Sequence, residues 1–188
     1  MEHRPFFTHL YDNRRAGRCQ AYAQNALGFD PSWAKEASIG NKLANARGET
    51  VAEKPSFKNA FKYRRCIIPV TGFYEWKTDK GVKYPHYISF KSGEPMAFAG
   101  LWETRHDSKN ETEEVVTCCI ITTGPTAVME PIHEGMPVIL AREQFDLWLA
   151  PQEKQIDHLL PLLRSYDSDS MQAWPVTREV NKVGCGMM

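Results

Sequence analysis

The chain lacks net charge, long apolar runs and the short glycine- or cysteine-rich signatures of the common enzyme scaffolds. Its 188 residues hold 23 Lys plus Arg against 23 Asp plus Glu. No overall field therefore draws it to a polyanion or repels it from one. The longest apolar run, around Val115–Ile121, is far too short to cross a bilayer. Residues 1–20 carry charge throughout and contain no apolar core of a secretory signal. The five cysteines are odd in number and irregularly spaced, and Cys118 and Cys119 are adjacent. That usage predicts reduced thiols and a cytoplasmic location. There is no GxGxxG, Walker loop, GxSxG or CxxC. The histidines never fall at i, i+4 with a second ligand nearby, so neither a metal site nor a cofactor is expected. No internal repeat and no Ser/Gly linker divides the chain, and one domain over residues 1–188 is expected.

Hydrophobic residues make up 42% and aromatics 11%, enough for a real core and too much for a disordered chain. The neutral total hides an asymmetry. Residues 33–91 hold 12 bases and five acids, a net of +7, whereas residues 92–188 have a net of −8. A basic half can face a polyanion even in a neutral protein. The plainer alternative is a solvated lysine face that pairs with the acidic half.

Strand signals dominate from Arg65 onward. Cys66–Val70 is a short apolar run containing Pro69, followed by Gly72 and the aromatics Phe73, Tyr74 and Trp76. Thr78-Asp79-Lys80-Gly81 predicts a hairpin turn into Tyr84–Phe90, and Lys91–Glu94 a second turn into Met96–Trp102. Asp107–Glu114 reads as a polar loop and Val115–Thr123 as a strand buried on both faces. Residues 38–62 read as a long loop or short helices. Arg142–Leu149 predicts a short helix. Ile156, Leu159, Leu160 and Leu163 recur at i, i+3, i+4, i+7, an amphipathic helix face. Gln172–Thr177 predicts a last strand. The expectation is an α+β single domain with a mainly antiparallel, barrel-like β-sheet and flanking helices.

Three segments carry chemistry unusual for their setting. Asn45-Ala46-Arg47-Gly48-Glu49-Thr50, with Glu53–Lys58 behind it, mixes an amide, both charges and an aromatic in irregular backbone. That suits a ligand site on a scaffold, or equally a turn-rich surface loop. In Gly72–Trp76, alternation puts Phe73, Glu75 and Lys77 on one strand face and Tyr74 and Trp76 on the other. A carboxylate among aromatics loses solvation, which raises its pKa and fits it for acid–base work. The alternative is an edge-strand Glu paired with Lys77 or Lys83. His133, in the Pro-bounded segment Ile132–Pro137, is either a proton shuttle or a buried structural imidazole.

Taken in order, the blocks resemble one family. They are Asn45–Thr50 with Glu53–Lys58, Arg65–Pro69 running into Gly72–Trp76, Ala99–Glu103, Ile121–Thr123, and Ile132-His133 with Met136–Leu140. This series is similar to the SOS-response-associated peptidase (SRAP) family of abasic-site-processing proteins, from about Ser32 to about Val183. The resemblance implies binding of single-stranded DNA at abasic sites. It implies a covalent DNA–protein crosslink made by an N-terminal Cys exposed when the initiator Met is removed, with autopeptidase and lyase chemistry. It places the family's catalytic asparagine, glutamate and histidine on Asn45, Glu75 and His133. Trp33, Arg47, Lys58 and Trp76 are the expected DNA contacts of a monomer without metal or cofactor.

The sequence departs from the family pattern at three places. It begins Met1-Glu2-His3-Arg4, without Cys at position 2, so the Met-Cys segment is expected to be missing. Gly135 stands where the pattern carries Arg. Leu27-Gly28-Phe29-Asp30-Pro31 stands where Trp-Gly-Leu-Ile-Pro is expected. A one-base frame shift through TTG GGG TTT GAT CCC restores the latter, which suggests a local frame error. Three functions compete on sequence grounds: the crosslinking enzyme, a catalytically inactive single-stranded-DNA-binding relative, and an ordinary structural or protein-binding domain.

Overall fold

The computed structural model describes residues 9–10, 21–22, 29, 43–107 and 110–181. Their strands are β1 His9–Leu10, β2 Ala21–Tyr22, β3 Asn45–Arg47, β4 Arg65–Val70, β5 Phe73–Asp79, β6 Val82–Phe90, β7 Met96–Asp107, β8 Asn110–Thr123, β9 Met136–Pro137 and β10 Met171–Pro175. The helices are α1 Lys58–Tyr63, α2 Phe145–Leu149 and α3 Ile156–Leu159, with short 3-10 turns between later elements. A larger sheet runs β3-β8-β7-β4, with β9 beside β8. A three-stranded sheet runs β10-β6-β5, and β1 pairs with β2. All pairings are antiparallel except β3 with β8. The α+β, mainly antiparallel expectation holds, but the sheets remain open instead of closing into a barrel.

Alternation in the larger sheet builds two cores. On one face Ala46, Ile67, Leu101, Cys119 and Ile121 meet Phe61, Trp148 and Leu159 from the helical side. On the other, Cys66, Ile68, Phe98 and Cys118 meet Phe73 and Ile88 of the three-stranded sheet. Buried on both faces, β4 and the end of β8 read as continuous apolar runs. Pro69 fits because β4 ends the hydrogen-bonded order, where a missing N–H costs no ladder bond. Lys80 and Gly81 have φ of 47° and 79°, the positive values that a two-residue hairpin turn requires. Gly72 is required for a different reason: a Cβ there would come within 2.5 Å of the Ile88 carbonyl and 2.4 Å of the Tyr87 hydroxyl.

Arg65 ties the helical layer to the sheet. Its Nε donates to Trp148 O at 2.6 Å, Nη1 to Phe61 O and Lys62 O at 2.8 Å, and Nη2 to Ala150 O and Glu153 O at 2.7 and 3.0 Å. A planar five-donor group matches the carbonyls left over at the ends of two short helices. The neighbouring Arg64 pairs with Glu103 at 2.6 Å.

Several boundaries differ from the sequence reading. Asp107–Glu114 is not a free loop: β7 and β8 continue into it as a long hairpin, leaving only residues 108–109 between them. Residues 38–62 contain β3, whose three residues were too few to show a period. The helix predicted through Leu163 stops at Leu159, because Pro161 cannot continue an α-helical ladder. The chain tightens into a 3-10 turn, so Leu162 turns inward and Leu160 is left exposed.

Candidate functional site

The open end of β8 organises the site. Thr122 pairs with Arg47 on one side and with Pro137 on the other. Residues 136–140 wedge between β7 and β8: Val138 N donates to Ile121 O at 2.8 Å, Ala99 N to Val138 O at 2.9 Å and Leu140 N to Ala97 O at 2.8 Å. This wedge anchors the turn that carries His133, whose backbone N donates to Met129 O at 2.9 Å. Across the second core, β5 directs Phe73 inward against Phe98, with ring centroids 5.6 Å apart. Glu75, two residues on and on the same face, emerges at the rim of that core.

There Glu75 Oε2 lies 4.0 Å from His133 Nε2. Burial raises the Glu75 carboxyl above its ordinary value of 4.5; the adjacent His133 and the Trp76 backbone N–H draw it partly back. The expected alternative partners, Lys77 and Lys83, make no ion pair with Glu75 among the described residues. His133 is exposed rather than a buried structural imidazole. Its Nδ1 lies 3.0 Å from the Gly135 carbonyl oxygen and 3.2 Å from the Gly135 nitrogen. A neutral ring accepts the Gly135 N–H at Nδ1 and presents Nε2–H to Glu75. A protonated ring donates from Nδ1 to the carbonyl instead. One residue thus satisfies both protonation states without moving the imidazole.

The other predicted residues distribute around this pair. Asn45 and Arg47 are exposed on β3, with Ala46 between them in the core. Asn45 pairs in register with Ile120, which packs against the second core. Asn45 therefore lies on the face of the large sheet that meets the smaller one. Arg47 is two strand spacings from Pro137, about 10 Å. Lys58 is exposed at the start of α1. Trp76 is half-buried, and its Nε1 donates to Asn181 Oδ1 at 3.0 Å. Sequence reasoning missed Asn181, which lies 105 residues from its partner with no local pattern to mark it. Trp33 lies outside the described residues. Phe29 is buried against Phe57 at 5.4 Å. The shifted reading frame puts Leu at that position, so its apolar environment suits either frame.

A half-buried carboxylate and an exposed imidazole 4.0 Å apart are a pair able to exchange protons on an α+β scaffold. A profile of the SOS response associated peptidase (SRAP) family matches residues 5–183, and the chain belongs to that family. It is 47% identical over 155 residues to the abasic site processing protein YoqW of Bacillus subtilis, covering 82% of this chain and 68% of that protein. It is 46% identical over 155 residues to the abasic site processing protein YoaM of the same organism, covering 82% and 67%. A solved structure of a protein from Bacteroides thetaiotaomicron superposes with a TM-score of 0.77 at 32% identity, covering 84% of this chain and 70% of that one.

Proposed function

We propose that the chain processes abasic sites in single-stranded DNA, with Glu75 and His133 as the proton-transfer pair. The Glu75–His133 approach at the core rim carries this reading, and the family's abasic site processing relatives supply the substrate class. Glu75, held toward its protonated form by burial, moves protons as a Schiff base forms at the ring-opened sugar and reverses. His133 protonates the sugar oxygen as the ring opens. Asn45 orients the attacking amine or the sugar, and Arg47, Lys58, Trp33 and Trp76 hold the strand. The protein acts as a cytoplasmic monomer, and release of the DNA and removal of an initiator Met are the lyase and peptidase sides of the same site.

The nucleophile separates this reading from a second one, a DNA-binding relative without crosslinking. A thiazolidine needs an amine and a thiol on one residue, as only an N-terminal Cys provides. Cys66, Cys118 and Cys119 are buried strand residues with amide nitrogens and serve neither role. A polypeptide starting at Met1 is therefore expected to form at most an imine with abasic DNA, trapped by borohydride and lost on heating. A version starting Met-Cys is expected to give a heat-stable crosslink on a denaturing gel. If that version binds abasic DNA but never crosslinks, the non-catalytic reading stands. If the Met1 polypeptide gives a heat-stable crosslink that Cys19→Ala abolishes, cleavage after Arg18 supplies the nucleophile. The coding DNA tests the frame error directly: other codons for Leu27 to Pro31 exclude it.

A further inference from the structure

The small sheet has a second face, turned away from Glu75, on which aromatic rings line up. Tyr74 on β5, Tyr87 on β6 and Trp174 on β10 are consecutive partners in strand register. Their ring centroids are 5.0 and 5.2 Å apart, so they form one row across the sheet. Trp174, at the outer end, is 40% exposed. Trp76 shares the face by alternation, one pair further along β5. Its indole N–H is satisfied by Asn181, which holds the ring in place. Two lysines lie beyond this row on the β5–β6 hairpin, Lys83 on the same face by its pairing with Thr78 and Lys80 in the turn. Neither makes an ion pair among the described residues.

We propose that this face binds the unpaired bases of the strand on one side of the lesion, with Tyr74, Tyr87 and Trp174 as its stacking row. The proposal rests on the DNA reading given above. Rings present π surfaces that any base can cover, and unpaired lysines nearby meet the phosphates. A protein partner would more readily use an apolar patch free of positive charge; here the ammonium groups of Lys80 and Lys83 lie at the end of the aromatic face. The row spans two strand spacings, about 10 Å, which is room for one or two bases. The strand reaches it from Glu75 by passing around β5, one of the two edge strands of this sheet.

The test uses fluorescence anisotropy with labelled oligonucleotides carrying a central, unreactive tetrahydrofuran abasic analogue. One is about five nucleotides long and confined to the site; the other, about fifteen, extends past it on both sides. Trp174→Ala is expected to weaken the longer one about tenfold and leave the shorter unchanged. Trp174→Phe should keep most of the affinity, since the ring and not the indole N–H does the stacking. Trp174 lies at the surface and outside both cores, so its loss opens no core cavity, and an unchanged melting temperature confirms that. Equal affinity of the alanine variant for the longer strand overturns the proposal, as does equal weakening of both lengths. A chain that binds the longer strand through Trp174 yet ignores the shorter one sinks the abasic-site reading while this face stands.

Discussion

Glu75 is held in an environment that disfavours its charge, and this has a sign that can be checked. Burial raises its carboxyl above 4.5, so its contribution to stability is fully present below that value and is lost as pH rises through the raised value. Above the raised value the folded protein carries a carboxylate that its surroundings disfavour. Glu75→Gln is therefore expected to raise the melting temperature at pH 7 relative to the parent, with the gap closing below about pH 4.5. The same change should slow abasic-site processing by ~10²–10⁴-fold with little loss of DNA affinity. A variant that is slower and also less stable at pH 7 would make Glu75 a structural residue. The buried thiols give a second check. Burial pushes Cys118 up to about 11 and Cys119 well above its ordinary value, and Cys66 is equally enclosed. No more than two of the five thiols should react with a disulfide reagent before the protein unfolds. Glu75 and His133 stand out in the sequence as a carboxylate among aromatics and a histidine between prolines, but the residues alone leave structural alternatives open, and only the family resemblance gives them roles. Arg65 does not stand out: it reads as one more base on a basic face, and only the fold reveals five carbonyls around it.

Short elements were the hardest to read, and the reason is length. The three residues of β3 complete too few periods to be seen, the repeat starting at Ile156 reads as a helix but carries past Pro161, and the hairpin turn at Lys80-Gly81 announces itself by chemistry. The ends of α1 and α2 depend on Arg65 more than on their own propensity, since helices this short do not persist alone. Arg65→Ala should cost on the order of 3 kcal/mol in chemical unfolding, because buried carbonyls lose their donors. Arg65→Lys should rescue little of it, one ammonium being unable to span both helix ends. A loss near zero for the alanine variant would mean that the helices are held by apolar packing alone. The His133 turn is a separate case. A Cβ on Gly135 would lie 3.3 Å from Thr123 O, a tight fit, and its φ lies outside the left-handed region. Gly135→Arg is thus expected to fold, to add a phosphate or sugar contact and to tighten single-strand binding. Unchanged affinity would show that this position points away from the strand.

For the whole molecule, the charge asymmetry survives folding in a reduced form. Arg64 is taken up by Glu103 and Arg65 by carbonyls, so two of the twelve bases between residues 33 and 91 leave the polar surface. Arg47, Lys54 and Lys58 remain exposed on the β3–α1 segment, and Lys77, Lys80 and Lys83 on the hairpin. Arg47 pairs in register with Thr122 at the open end of β8, and the lysine hairpin extends β5 beyond Glu75. The neutral total means that binding depends on this local field and not on net charge. Phosphate contacts release counterions, and each contributes a slope of about −0.7 to log affinity against log salt on a single strand. Arg47→Ala and Lys58→Ala should each flatten that slope by about 0.7, whatever the base sequence. Lys154→Ala is the matched control: it removes an exposed cation from the acidic half, where Lys154 lies over the Tyr63 ring at 5.2 Å, and should leave the slope unchanged. Titrations from low to physiological salt would read all three. If Lys154→Ala flattens the slope as much as Arg47→Ala does, the strand is held by diffuse charge, and the β3–α1 segment is not its track.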